Sequence, residues 1–229
     1  MTDRLRLAVF DVDGTLIDSQ HNIIAAMTQS WRHHGLGDPD PNAVRRIIGL
    51  SLVEACATLL PDADADLHQS VAEGYKNAFF TLRSDAGHVE PLFPGAEDAL
   101  AKLEAEGWLL GIATGKTRRG LDAMLERHGF VGRFLTLQTA DGHPGKPHPS
   151  MVLQAMADTG ADPDRTVMIG DTVYDIKMGK SAKTFAAAVA WGYHPSHELQ
   201  EAGADVLVQD YADLPDMLAA LTGGTRQCA

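Results

Sequence analysis

From Pro91 onward, short apolar runs alternate with amphipathic stretches of helical length, and that alternation leaves few folds open to the chain. Helical patterns over 95–106, 117–128, 149–158 and 175–182 interleave with strand patterns over 108–113, 134–137, 166–169 and 185–190, and an edge strand is expected over 205–208. Strands separated by helices pair in parallel, because a parallel connection needs a crossover long enough to carry a helix. The expected core is therefore α/β, a parallel sheet with helices on both faces. Ligands of such sheets bind beyond the carboxyl ends of the strands, where strand order reverses.

One more strand pattern, over 5–10, precedes this region and stops abruptly at Asp11. The chain between the two is helical: 20–33, with Ile23, Ile24, Met27 and Trp31 at helical spacing, then 43–48, 51–60 and 66–82. Asp38-Pro39-Asp40-Pro41 breaks the series, and no strand pattern occurs between 17 and 88. Residues 1–16 and 89–229 are expected to form the sheet domain, and 17–88 a smaller, all-helical domain inserted after the first strand.

Composition narrows the function. At 229 residues and 45% apolar the chain can bury a substantial core. A formal net charge of −12 argues against a nucleic-acid partner or an anionic membrane surface. The apolar run over 7–10 is too short for a signal segment or a membrane span. Cys56 and Cys228 lie far apart with no C-x-x-C spacing, so neither a disulfide nor a zinc framework is expected, and the cytoplasm is the expected location.

Four constellations fall at expected strand ends. Asp11-Val12-Asp13-Gly14-Thr15-Leu16 sets two carboxylates two apart after the first strand: one can attack phosphorus while the other passes a proton. Thr114-Gly115 offers a hydroxyl and backbone N–H groups to an anion at a helix start. Lys146, held in Gly145-Lys146-Pro147-His148-Pro149, is pre-positioned to neutralise phosphate. Asp171 and Asp175, in Gly170-Asp171-Thr172-Val173-Tyr174-Asp175, suit a hard cation with oxygen ligands, magnesium first. Singly, each has a plainer reading as an Asx-turn, a helix cap or a solvated lysine. Gly115-Lys116-Thr117 matches the end of a P-loop, but Leu110 replaces the required glycine, which excludes that motif.

In this order and spacing the four resemble the motifs of the haloacid dehalogenase superfamily, and the phosphoglycolate-phosphatase-like subgroup in particular. Asp13-Gly14-Thr15-Leu16-Ile17-Asp18-Ser19, Phe93-Pro94-Gly95 and Val189-Ala190-Trp191-Gly192 support the resemblance. It implies a Rossmann-like core with a helical cap inserted after the first motif. It further implies a magnesium-dependent phosphatase acting on a small phosphorylated metabolite through an aspartyl-phosphate intermediate. Asp11 would be the nucleophile and Asp13 the acid and base. Thr114, Gly115 and Lys146 would bind phosphate, and Asp11, Asp13 (by its backbone carbonyl) and Asp171 would hold the metal, supported by Asp175. Cap movement would hinge near 17–19 and 89–91.

Rival readings are weaker. Dehalogenases of the superfamily lack an acid at the position of Asp13. Mutases resembling β-phosphoglucomutase usually carry an arginine where Leu52 follows Gly49-Leu50-Ser51, and a non-catalytic binding module would not need Asp11, Asp13, Lys146 and Asp171 together. His33, His34, His143, His148, His194 and His197 fall in separate segments and make no zinc motif, although His143 shares a loop with Lys146. Arg45 and Arg46 could reach a second substrate anion. Lys183 stands where relatives commonly place glycine, a left-handed cap that would strain a lysine by about 1 kcal/mol. Substrate identity and oligomeric state have no sequence signature.

Overall fold

The computed structural model describes residues 4–83 and 89–223. Six parallel strands form one sheet in the order β3-β2-β1-β4-β5-β6: β1 (Arg6–Phe10), β2 (Trp108–Thr114), β3 (Thr136–Thr139), β4 (Thr166–Gly170), β5 (Phe185–Val189) and β6 (Val206–Val208). The chain builds outward from β1 to one edge and then from β4 to the other. The reversal leaves a crevice at the carboxyl ends of β1, β2 and β4, where ligands of such sheets bind.

β1 is central because it is apolar on both faces. Ala8 and Phe10 point into a cluster with Leu100, Leu121 and Leu214, from α5 (Ala96–Ala105), α6 (Arg118–Arg127) and α10 (Leu214–Gly223). Leu7 and Val9 point the other way, against Met151, Val152 and Met178 of α7 (Ser150–Thr159) and α8 (Val173–Ser181). Each large side chain buried this way contributes about 1.5–3 kcal/mol, which fixes the strand between its two layers.

The helical segment comprises α1 (Gln20–His33), α2 (Pro41–Arg46), α3 (Leu52–Leu59) and α4 (Ala65–Arg83), around a small core of its own with Met27, Val44, Cys56 and Val71. α2 starts two residues before the sequence pattern: Pro41 fits the first helical turn, and Asp40 caps it by accepting from Asn42 N at 3.0 Å. The expected end of the insertion at position 88 lies outside the described residues. Among the described residues of 17–83 there is no strand, but Ile17 bridges Leu92 in an antiparallel pair. Asp18 N donates to Pro91 O and Phe93 N to Leu16 O, both at 2.9 Å. The two chain crossings into the helical segment therefore run side by side.

Strand starts shifted as well. β3 begins at Thr136 rather than 134, because Phe134 turns into an edge contact with Phe130 and Leu135 is exposed. β1 begins at Arg6, leaving Leu5 exposed. Lys183 does adopt the left-handed conformation, φ +63°, in the turn where Thr184 N donates to Gly179 O at 3.1 Å. A branched side chain is worse there and glycine is unstrained. In urea unfolding, Lys183→Gly is expected to raise stability by up to about 1 kcal/mol and Lys183→Val to lower it by about 1–2 kcal/mol.

Candidate active site

Asp11 ends β1, its N–H bonded to Ile169 O at 2.9 Å, and its side chain is 1% exposed. The chain then turns tightly, with Leu16 N and Ile17 N both donating to Val12 O. Gly14 makes the turn possible in two ways. Its φ is +84°, and a Cβ there would overlap the Asp171 carboxylate. Asp171, at the end of β4, packs into that gap and also against Gly192. It accepts from Thr15 Oγ1 at 2.9 Å and from Tyr193 N at 2.9 Å.

The next turn opens α8 with a capping box. Thr172 accepts from Asp175 N, and Asp175 Oδ2 accepts from Thr172 N at 3.1 Å and Oγ1 at 2.6 Å. Asp175 Oδ1 is left to take Lys146 Nζ at 2.7 Å, and the same ammonium lies 2.7 Å from Asp11 Oδ1. Lys146 is as buried as the carboxylates. Its loop is tied down by His143, which joins Gln138 Oε1 and Ser150 Oγ at 2.8 Å each, so this histidine belongs to the scaffold of the lysine loop.

Charge does not balance in this cluster. Asp11, Asp171 and Asp175 offer oxygens that all lie within 4.8 Å of one another, against a single ammonium. Burial pushes the Asp11 carboxyl up to about 7, with Lys146 opposing and Asp175 reinforcing the rise. Burial also lifts Asp171 well above the usual carboxylate range, helped by Asp175 and Asp11. Burial alone would lower the Lys146 ammonium, but Asp11 and Asp175 together outweigh it and hold the pKa up. Asp11 Oδ2 is buried with no hydrogen-bonding partner among the described residues. Three convergent carboxylates, one with an orphaned oxygen, fit a small hard cation.

Asp13 stands apart from that cluster. Its Oδ1 accepts from Ser19 Oγ and pairs with Lys116 Nζ at 2.8 Å; Lys116 Nζ also lies 4.0 Å from the buried Glu90. Asp175, expected only in support, is the third carboxylate of the group, and the Asp13 side chain is not in it. Thr114 is fully buried at the end of β2, its hydroxyl accepting from Lys116 N at 3.2 Å. Gly115 lines a cavity of about 350 Å³ shared by Asp11, Asp13 and the helical segment. A Cβ on Gly115 would stand 2.7 Å from Leu50 O, so the Gly49-Leu50 loop of that segment rests directly on it.

Arg45 and Arg46 do not reach the cavity: Arg45 donates to Gln20 and Asn42, and Arg46 pairs with Glu198 at 2.7 Å. The cations that line it are Lys76, Arg83, Lys116 and Arg119. In the sequence Lys116 stands out only within Gly115-Lys116-Thr117, and Lys76 and Arg83 of α4 and Arg119 of α6 belong to no motif. Ser19 and Thr15 were visible as part of a phrase, without the partners that the turn gives them.

Residues 8–189 match the haloacid dehalogenase-like hydrolase family, and the chain belongs to it. Over 217 residues the chain is 35% identical to Probable phosphatase IndB of Dickeya dadantii, covering 94% of each protein. It is 33% identical to the N-acetylmuramic acid 6-phosphate phosphatase of Pseudomonas aeruginosa over 94% of this chain and 95% of that one. The crystal structure of a hydrolase from Pseudomonas syringae superposes with a TM-score of 0.83 at 25% identity, over 94% of this chain and 98% of the other.

Removing the lysine from the cluster leaves buried carboxylates without their counter-charge. Lys146→Met is expected to lower the unfolding free energy at neutral pH by about 3–5 kcal/mol, read from urea denaturation without added metal.

Proposed function

We propose that the protein is a magnesium-dependent phosphatase that hydrolyses a small phosphorylated metabolite through a phosphoryl intermediate on Asp11. The observation that carries this reading is a buried carboxylate, Asp11, ion-paired to Lys146 on the floor of a cavity that it shares with a second carboxylate, Asp13. The relatives named as phosphatases, matched over nearly the whole chain, support it.

An Asp11 oxygen attacks phosphorus and the bond to the leaving oxygen breaks, with Asp13 supplying that oxygen its proton. Asp13 then takes a proton from water, the water oxygen attacks the same phosphorus, and the bond to Asp11 breaks to release phosphate. Ser19 and Lys116 fix the orientation of Asp13 through these steps. Thr114 accepts from Lys116 N and keeps its own hydroxyl proton to donate to a phosphate oxygen, and the Gly115 N–H serves the same anion. Lys146 holds Asp11 in place and offsets phosphate charge. Asp11, Asp171 and the Asp13 backbone carbonyl, with Asp175 in support, would hold magnesium, which when bound would supply the remaining positive charge.

Residues 17–88 would act as a cap on 1–16 and 89–229, hinged near 17–19 and 89–91. A cytoplasmic location is part of the proposal. It rests on the buried, unpaired thiol of Cys56; Cys228 lies outside the described residues. Among the described residues no helix is long and apolar enough to cross a membrane. The mutase alternative lacks its arginine, since Leu52 lines the cavity at that point.

Phosphate release from a panel of phosphomonoesters is expected to require magnesium and to vanish in Asp11→Asn; turnover that survives the substitution would remove Asp11 as nucleophile. Asp13→Asn is expected to slow turnover by about 10²–10⁴-fold and to accumulate a phosphoryl adduct on the protein, detected by mass spectrometry after acid quench.

A further inference from the structure

The cavity of about 350 Å³ is large for a two-carbon leaving group and sits within the usual span of small-molecule sites, roughly 300–1,000 Å³. Much of its wall is apolar, including Met27, Ile48, Leu52 and Phe79. Beyond Asp11 and Asp13, every charged side chain that lines it among the described residues is cationic. Two of those cations are already committed: Lys116 to Asp13 at 2.8 Å and Lys76 to Glu73 at 2.6 Å.

Arg83 and Arg119 stand differently. Neither has a carboxylate partner among the described residues, in a chain whose acids outnumber its bases. Each lies over an aromatic ring, Arg83 at 4.9 Å from the centre of Phe79 and Arg119 at 4.5 Å from that of Phe80. Stacking orients a guanidinium and leaves its edge free for an oxyanion. Arg83 Nε is buried and has no hydrogen-bonding partner among the described residues. A buried N–H without an acceptor is costly, and a ligand oxygen would relieve it. Arg83 Nη2 lies 3.9 Å from where a Cβ on Gly120 would stand, so the end of α4 reaches across to the first turn of α6, which carries Arg119.

We propose that Arg83 and Arg119 form a second anion subsite. The substrate is then a phosphomonoester whose leaving group has an apolar body and a further oxyanion, either a carboxylate or a second phosphate. The proposal rests on the phosphatase reading of Asp11 and extends it to substrate class.

The test uses the full-length protein with magnesium and three phosphonates that are not hydrolysed: benzylphosphonate, 4-(phosphonomethyl)benzoate and p-xylylenediphosphonate. Calorimetry is expected to show at least one of the two compounds that carry a second anionic group binding about tenfold tighter than benzylphosphonate, and which one does so names the second oxyanion. That ratio is expected to fall severalfold in Arg83→Met and in Arg119→Met, to approach one in the double variant, and to be partly kept in Arg83→Lys. A ratio near one in the wild type, which needs no variant to fold, overturns the subsite, and so does an unchanged ratio in the double variant.

Hydrolysis of phenyl phosphate and 4-carboxyphenyl phosphate separates the two readings. Equal, Asp11-dependent hydrolysis of both, with no selectivity among the phosphonates, sinks the subsite and leaves the phosphatase standing. Selective phosphonate binding without hydrolysis of any ester keeps the subsite and sinks the reaction.

Discussion

A single ammonium group buried among carboxylates organises this molecule. Lys146 Nζ sits 2.7 Å from both Asp11 and Asp175, at the junction of β1, the β4–α8 turn and its own loop. Taking one cation and three acids out of water is expensive, and the attraction between them recovers that cost only where every remaining oxygen is served. The surroundings do much of that serving: Thr172 caps Asp175, Thr15 and Tyr193 N bind Asp171, and His143 pins the lysine loop. One oxygen of Asp11 is left over. Within this cluster the unsatisfied polarity falls on Asp11, at the mouth of the crevice where the strands end.

The sheet was legible because its signal is local and repeated. Each central strand is apolar on both faces, and each ends at a turn whose first polar residue is a candidate site residue: Asp11, Thr114 or Asp171. The four motifs could be assigned to one crevice without knowing distances, since a parallel sheet puts all its carboxyl ends on one edge. Sequence could not show that Asp13 turns away from the other carboxylates, because the direction of a side chain two residues past a strand depends on Ser19 and Lys116, from two other segments. The promotion of Asp175 into the carboxylate group has a similar origin, a capping box that leaves one of its oxygens facing Lys146.

The cavity was the least legible part. Arg45 and Arg46 lay beside a recognisable Gly-x-Ser phrase and drew attention, yet both are consumed by neighbours. Arg83 and Arg119 are spaced by no motif and lie on different helices, one from each layer of the molecule. They meet beside the place where the Gly49-Leu50 backbone settles on Gly115, a contact that a Cβ there would crowd. Specificity in such an arrangement is a property of an interface, and interfaces leave little trace in periodicity.

The helical segment departs and returns at one place, with Leu16 O and Phe93 N joined by a 2.9 Å hydrogen bond across its base. To the sheet, the whole excursion is therefore equivalent to a closed hairpin turn. The entropy of closing a loop grows only with the logarithm of its length, so lengthening, shortening or exchanging the chain beyond that bond alters the sheet's stability little. The carboxyl edge of the sheet and the helical segment over it are thus free to vary independently of one another, covalently joined only through that narrow neck.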